Sequence, residues 1–299
     1  MDRRRALRFL AGACAAAALP RAACAHGDPI LRAIPASGER LPAIGLGTWI
    51  TFDVTDPPAR AARGAILRAF FAAGGRLVDS SPMYGASEET IGASMPSNAR
   101  ALFSATKVWT LGALAGRRQM ESSRALWKLA RFDLMQVHNM LDWETHLPTL
   151  KRMKAEGSVR YIGVTTSHGR RHDLLEQLLR TQKLDFVQLT YNLLEREAQD
   201  RLLPLARERG IAVIVNRPFR RGELIRKFER HPLPPWAREI DCRNWAQVLL
   251  KFIVSHPAVT CAIPATTRVE HVRENLGASS GRLPDEALRR RMVADLEKL

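Results

Sequence analysis

The feature that most constrains the fold is a regular alternation of short apolar runs with longer amphipathic stretches. Most stretches between the runs are long enough for a helix and carry apolar residues at helical spacing. Strands that alternate with helices pair in parallel through right-handed crossovers, and eight such units close into a barrel. The sequence therefore predicts one α/β domain with a (β/α)8 TIM-barrel fold. The runs lie 25 to 47 residues apart and begin near Ile44, Leu77, Leu102, Leu134, Val159, Phe186, Ala212 and Val259.

The connection after the seventh predicted strand is longer than a helical crossover requires. The two runs that flank it lie 47 residues apart, and its additional segment, roughly residues 217–241, contains Gly222 and four prolines. Loops that follow the strands of such a barrel lie at the face where active sites are built. This long loop after strand 7 is either a lid over a cofactor or substrate, or an extended surface loop.

Residues 1–25 have the pattern of a cleavable export signal. Four arginines at positions 3, 4, 5 and 8 precede an apolar run over residues 9–19, and Ala23-Cys24-Ala25 has the small residues of a cleavage site. The apolar run is shorter than the roughly 20 residues that span a bilayer. An arginine-rich N-terminus without targeting meaning is the alternative, and a lipid anchor on Cys24 is disfavoured because Arg21 stands where an aliphatic residue is expected.

The arginine string also resembles a twin-arginine signal, which directs already folded proteins across the bacterial inner membrane. We therefore expect residues 1–25 to be a twin-arginine signal peptide and residues 26–299 to form the barrel. The partner for the leader would be the twin-arginine export machinery. The mature protein would be periplasmic, with a cytoplasmic pool where export fails and without a stable membrane span.

The chain is strongly basic, with a formal net charge of +16. Residues 1–25 hold five arginines and one aspartate, so their removal leaves +12. Basic clusters that bind nucleic acid are concentrated on one face and interleaved with aromatic residues. Here the basic clusters are spread along the chain, which favours solvated helix faces and argues against a nucleic-acid partner. Separately, we expect the protein to be a monomer or a weak oligomer. The clusters are Arg117-Arg118, Arg170-Arg171, Arg220-Arg221 and Arg289-Arg290-Arg291.

Cysteine and histidine spacing gives no metal site. Cys242 and Cys261 remain after removal of the leader. A bridge between them is conceivable in an oxidising compartment, but Cys261 lies in an apolar run, which favours a buried free thiol. His168 and His172 are four residues apart but have no third ligand nearby in the sequence.

Four side chains at or just beyond predicted strand ends form a candidate proton-delivery site: Asp79 and Tyr84 in LVDSSPMYG, Lys107 in FSATKVW, and His138 in DLMQVHN. A phenol is a weak acid at neutral pH, but a nearby lysine ammonium stabilises the phenolate and is expected to lower the phenol's pKa. Asp79 would hold Lys107, and His138 would orient an incoming carbonyl group. Each residue alone also has an ordinary structural explanation, such as a helix cap, a loop aromatic, a surface charge or a core histidine. Together they predict general acid–base catalysis at a carbonyl oxygen.

These motifs, in this order, resemble the aldo-keto reductase superfamily over nearly the whole mature chain. The resemblance also includes IGLGTW, GSVRYIGVTTSH, FVQLTYN and IPATTRVEHVREN. It implies that Asp79, Tyr84, Lys107 and His138 are the catalytic tetrad, with Tyr84 as general acid and base. It further implies an NAD(P)-dependent oxidoreductase that reduces an aldehyde or ketone to an alcohol by hydride transfer.

The resemblance also implies cofactor contacts. Thr165, Thr166 and Gln188 fall where the family binds the nicotinamide carboxamide, although Thr166 replaces an asparagine. Asn216, followed by Arg217, stands where many members place an aromatic ring on the nicotinamide.

At the adenosine end, Glu274 and Asn275 match the adenine contacts. Thr266 and Arg268 fall where the ribose 2′-phosphate is bound, while Ala265 and His271 replace frequent basic residues. Charge-assisted contacts discriminate phosphate from hydroxyl, so NADP is favoured over NAD, with Arg268 as a solvated helix residue the alternative. No GxGxxG fingerprint follows a strand, so a Rossmann site is not supported.

Trp49 and Trp109 are candidate walls of the substrate pocket, with core packing as the alternative. Besides a reductase, two other functions remain open. The first is a cofactor-binding barrel that acts as a redox-sensing or partner-binding subunit with little turnover; the complete tetrad favours the reductase over it. An aldolase or isomerase would share the barrel but leave the tyrosine, lysine and histidine without a role.

Overall fold

The computed structural model describes residues 29–299, and the predicted leader, with Cys14 and Cys24, lies outside the described residues. The strands are β1 (Leu31–Ala33), β2 (Arg40–Pro42), β3 (Leu46–Gly47), β4 (Leu77–Asp79), β5 (Phe103–Val108), β6 (Phe132–Val137), β7 (Val159–Thr165), β8 (Phe186–Thr190), β9 (Ala212–Asn216) and β10 (Val259–Ala262). The helices are α1 (Pro57–Ala72), α2 (Ser87–Ser94), α3 (Ala113–Trp127), α4 (Trp143–Ala155), α5 (His172–Thr181), α6 (Leu202–Glu208), α7 (Glu223–Phe228), α8 (Trp245–Val254), α9 (Val269–Gly277) and α10 (Glu286–Leu296).

Strands β3 to β10 form one parallel eight-stranded sheet in chain order. A parallel bridge between Ile44, just before β3, and Ala262 in β10 joins the two edges. The amide of Gly45 donates to the carbonyl of Ala262 at 2.8 Å across this seam. Because neither edge is left unpaired there, the predicted (β/α)8 barrel is confirmed.

The β1–β2 hairpin was not predicted from the sequence. Its two three-residue strands pair antiparallel, and Ile34 and Leu41 are fully buried among the apolar side chains of the barrel interior. The same cluster contains apolar residues at the beginnings of barrel strands, among them Phe103 and Phe186. The hairpin therefore plugs the N-terminal mouth and leaves the C-terminal mouth for the site.

The helices form the outer layer, and α1 shows why they begin and pack where they do. Asp56 caps its N-terminus by accepting a hydrogen bond from the amide of Ala59 at 2.9 Å, and Pro57 occupies the first helical position. Its apolar face buries Ile66 and Phe70. Burying a side chain of this size contributes roughly 1.5–3 kcal/mol, so the amphipathic face holds the helix on the barrel.

The long connection after β9 contains α7 and a 3-10 helix over Pro235–Arg238, so it is more ordered than an irregular loop. The last helix of the described residues is α10. Within residues 29–299, no helix has the length and apolar character needed to cross a membrane. Cys242 and Cys261 are free and buried, and no cluster of metal-ligating side chains is found in the described part of the chain.

Candidate active site

A cavity of about 740 Å³ opens at the C-terminal mouth of the barrel. Parallel strands deliver the residues that follow them to the same end of a barrel, which explains why distant sequence segments meet here. The lining comes from the segments after β3, β4, β6, β7, β9 and β10, from β8, and from α9. Asp79, Tyr84 and His138 lie in this lining, and Lys107 is buried behind Asp79.

Lys107 and Asp79 form a buried ion pair beneath the cavity. Lys107 Nζ lies 2.6 Å from Asp79 Oδ2 and donates to the carbonyl of Ser80 at 2.6 Å. The other carboxylate oxygen accepts hydrogen bonds from the side-chain amides of Gln136 at 3.3 Å and Gln188 at 3.0 Å. Burial disfavours the Lys107 ammonium, but Asp79 and Tyr84 together outweigh burial and raise the pKa of Lys107 above its ordinary value. The site therefore holds a fixed positive charge.

Tyr84 lies on the loop after β4, with Lys107 Nζ 5.2 Å from its ring centroid. The next residue, Gly85, has a φ of +57°, and a Cβ there would approach the Asp53 carboxylate to 2.3 Å. Glycine is therefore required for the turn that presents Tyr84. The expectation of a lowered phenol pKa is corrected, because burial raises the pKa of Tyr84 and the opposing attraction of Lys107 is smaller.

His138 follows β6 in a 3-10 helix over His138–Met140. Its Nδ1 lies 2.9 Å from the hydroxyl of Ser81, and its ring packs edge-to-face on Tyr84 with centroids 5.7 Å apart. Burial, assisted by repulsion from Lys107, lowers the pKa of His138 to about 2. The imidazole is therefore neutral at physiological pH.

The side chains expected to meet a nicotinamide carboxamide all line the cavity, but they also bind one another. The Thr165 hydroxyl accepts from the amide of Asn139 at 2.9 Å, and the Thr166 hydroxyl donates to the carbonyl of Arg170 at 2.6 Å. Gln188 uses its amide nitrogen on Asp79. In the described structure, these side chains both line the cavity and hold its loops and the Asp79 carboxylate in place through hydrogen bonds.

Asn216 and Arg217 lie at the end of β9 and line the cavity. The Asn216 amide donates to the carbonyl of Thr166 at 2.9 Å, and its oxygen accepts from Thr190 at 2.6 Å. Arg217 has a φ of 52°, and its Nε and Nη1 are buried without a hydrogen-bond partner among the described residues. Burial lowers the pKa of Arg217 from its ordinary value. Two unsatisfied guanidinium nitrogens at a cavity wall suit an anionic group.

The residues expected at an adenosine end separate into two sets. Thr266, Glu274 and Asn275 line the cavity, as does His271. Arg268 does not: its side chain is 63% exposed and lies 3.6 Å from the carboxylate of Glu270. Arg268 is the N-cap residue of α9. Its exposure agrees better with the alternative that it is a solvated helix residue.

Of the two tryptophans, only Trp49 lines the cavity. Trp109 is 41% exposed and lies outside the lining of the cavity, so its place as a pocket wall stays a prediction. The guanidinium of Arg221, on the long connection after β9, lies 4.2 Å from the Trp49 ring centroid. This contact reaches from the segment after β9 to the segment after β3, so the connection borders the cavity.

Several lining residues were not identified from the sequence, including Met83, Asn139, His168, Arg170 and Ile225. Nothing in their local sequence marks them as site residues, since only the closure of the barrel brings them to one mouth. The arrangement offers a neutral imidazole and a protonated phenol beside a buried ammonium. Such a set can polarise an oxygen and transfer a proton to it.

Comparison with known proteins gives a consistent family match. The model of the Aldo/keto reductase family matches residues 43–292. The protein described as NADH-specific methylglyoxal reductase of Escherichia coli (strain K12) is 28% identical over 176 residues, which are 50% of this chain and 53% of that protein. The chain spans about half the length of the curated relatives it matches.

Solved structures share the architecture over most of the chain. An aldo-keto reductase from Klebsiella pneumoniae in complex with NADPH has a TM-score of 0.74 at 26% identity, with 87% of this chain and 92% of that chain covered. An aldo-keto reductase from Bacillus halodurans has a TM-score of 0.75 at 20% identity, with 90% and 96% covered. The second likeness, at its lower identity, concerns the fold alone.

Proposed function

The chain belongs to the aldo/keto reductase family, and on that premise we propose that it is an NADP-dependent oxidoreductase that reduces an aldehyde or ketone to an alcohol. The observation that carries this proposal is the buried Lys107–Asp79 pair at 2.6 Å, with Tyr84 and His138 above it at the cavity. A fully buried lysine is costly unless an anion holds it. Lys107 lies close enough to the Tyr84 ring to stabilise a phenolate there.

The proposed reaction divides between the protein and the cofactor. A bound nicotinamide supplies the hydride that reduces the carbonyl carbon. Tyr84 gives its phenolic proton to the carbonyl oxygen, and the Lys107 ammonium stabilises the phenolate that this transfer leaves. Because burial raises the pKa of Tyr84, the phenol holds its proton at neutral pH until the oxygen becomes basic. His138 orients the carbonyl oxygen toward the phenol.

The residues at the cavity fit a dinucleotide phosphate. Arg217 presents two unsatisfied guanidinium nitrogens, and Thr266 and His271 lie on the wall near α9. The complex of the Klebsiella pneumoniae structure with NADPH supports NADP as the cofactor, whereas the Escherichia coli relative is described as NADH-specific. Affinities of the mature protein for NADPH and NADH, measured side by side, distinguish the two. Tighter binding of NADH would contradict the proposed preference.

Replacement of Tyr84 by Phe tests the proposed chemistry. We expect Tyr84→Phe to lower the rate of carbonyl reduction by roughly 100- to 10,000-fold, the usual effect of a general acid, while NADPH binding measured by fluorescence is retained. Reduction is followed by loss of nicotinamide absorbance with a panel of aldehydes and ketones that includes methylglyoxal. An active Tyr84→Phe variant would refute the role of the phenol.

Tyr161→Phe is the matched control for this experiment. Tyr161 donates to the Ser37 hydroxyl at 2.7 Å and packs on Phe103 and Phe186 among the interior residues beside the β1–β2 hairpin. The change removes a phenolic hydroxyl at a residue outside the cavity lining. Its rate of carbonyl reduction should match that of the wild type.

We also propose that residues 26–299 are exported after folding. The support is the basic, apolar and small-residue pattern of residues 1–25. Export in a folded state would carry a bound dinucleotide along with the protein. This proposal is independent of the proposed reaction.

A further inference from the structure

The hydroxyl of Ser81 contacts one of the two ring nitrogens of His138. Ser81 Oγ lies 2.9 Å from His138 Nδ1, and the amide of Met83 donates to the same oxygen at 3.3 Å. Ser81 is fully buried. Among the described residues, its hydroxyl hydrogen has no hydrogen-bond acceptor other than this imidazole nitrogen.

The contact permits two arrangements of protons. If Nδ1 carried the imidazole proton, it would donate to Ser81, and the buried serine hydroxyl would have no acceptor. If Ser81 donates, Nδ1 is the acceptor and the imidazole proton lies on Nε2. A buried donor without an acceptor is disfavoured. The contacts of Ser81 therefore select the second arrangement.

We propose that Ser81 is a positioning residue that fixes the tautomer of His138 with its proton on Nε2, which makes the imidazole a hydrogen-bond donor to the substrate's carbonyl oxygen. His138 lines the cavity, and its Nε2 has no hydrogen-bond partner among the described residues. The donor role rests on the proposed function, whereas the tautomer itself is a property of the free protein.

The tautomer determines which substrate group the site accepts. A carbonyl oxygen has two lone pairs, which can accept from the Tyr84 hydroxyl and from the His138 N–H together. With a bare Nε2, the histidine would repel the same oxygen. Ser81 thus tunes the site for a carbonyl acceptor, and its hydroxyl influences the reaction without contact with the substrate.

Nitrogen-15 NMR of the mature protein labelled at histidine measures the tautomer directly. We expect the wild-type His138 spectrum to show a protonated, pyrrole-type Nε2 and a pyridine-type Nδ1 at neutral pH, with assignment by comparison with His138→Gln. A protonated Nδ1 would overturn the proposal. Ser80→Ala is the matched control, because the Ser80 hydroxyl is buried without a hydrogen-bond partner among the described residues; its His138 signals should match the wild type.

Ser81→Ala and Ser81→Thr connect the tautomer to catalysis. We expect Ser81→Ala to give mixed His138 tautomers and to lower kcat roughly 10- to 100-fold, the ratio that corresponds to one buried hydrogen bond, with an unchanged NADPH affinity. Ser81→Thr keeps the hydroxyl and should restore the wild-type spectrum; wild-type kcat in Ser81→Ala would contradict the positioning role. If Thr disturbs packing, the wild-type spectrum still decides. A wild-type protein with the expected tautomer but no carbonyl reduction would refute the proposed function and leave the tautomer assignment intact.

Discussion

Replacement of Lys107 by Met should destabilise the protein by about 3–5 kcal/mol, the usual cost of removing one partner from a buried ion pair. Lys107 is fully buried, and its ammonium makes two hydrogen bonds of 2.6 Å, one to Asp79 and one to the carbonyl of Ser80. Hydrogen bonds to charged groups contribute about 1.5–3 kcal/mol each, so the two bonds together correspond to about 3–6 kcal/mol, which overlaps this range. Met has a similar volume, so the loss reflects the uncompensated Asp79 carboxylate and not a cavity.

A second substitution separates charge from packing. In Lys107→Met with Asp79→Asn, neither charge of the pair remains, and the Asn oxygen can still accept from the amides of Gln136 and Gln188. We expect this double variant to recover at least half of the lost stability, because neutral replacement of a buried pair is often close to neutral. It should nevertheless be unable to reduce carbonyls, since the charge that stabilises the phenolate is absent.

Urea unfolding followed by tryptophan fluorescence measures both variants, and loss of nicotinamide absorbance measures their activity. The chain has six tryptophans, and Trp127 and Trp236 are almost fully buried, so the unfolding signal is large. A loss below about 1 kcal/mol in Lys107→Met would contradict a buried, paired ammonium, since that is the range of exposed pairs. Carbonyl reduction by the double variant would show that the pair is not needed for the chemistry.

Two further predictions concern acid stability and export. Burial lowers the pKa of His138 to about 2, so below pH 6.5 the unfolded chain binds a proton that the folded chain does not, and stability falls by about 1.4 kcal/mol per pH unit. Urea midpoints of His138→Asn should therefore fall less steeply between pH 6.5 and 4.5, and equal slopes would contradict the shift. Replacing Arg3, Arg4 and Arg5 by Lys in the full chain should retain the protein in the cytoplasm of a bacterial host; equal periplasmic yield on fractionation would contradict a twin-arginine signal.

The barrel was predictable because most of its strands lie in apolar runs that amphipathic stretches separate. Strands β4, β8 and β10 begin at Leu77, Phe186 and Val259, where the runs begin. The β1–β2 hairpin has no comparable signal: each strand has three residues, and one contains Arg40 and Pro42. Its position is determined by burial of Ile34 and Leu41 in the barrel interior, which is a tertiary property.

The candidate site was predictable only where a side chain carries unusual chemistry for its position. A lysine that ends an apolar strand is unusual, so Lys107 could be singled out. A serine in a loop is not unusual, and the contact of Ser81 with His138 depends on how two strand ends meet. The same limit explains Trp109 and Arg268, whose motif positions suggested the cavity although the backbone directs them to the surface.

Asn216 connects the predicted cofactor half of the site to its acid half. Its amide nitrogen lies 3.4 Å from the side-chain oxygen of Gln188, and its oxygen accepts from Thr190. Gln188 in turn donates to Asp79. An aromatic ring at position 216 would leave the Gln188 oxygen and the Thr190 hydroxyl without these partners, at a cost of about 1–3 kcal/mol for each buried group. The asparagine thus replaces a stacking surface with hydrogen bonds that orient the Asp79 carboxylate, so the two halves of the site cannot be changed independently.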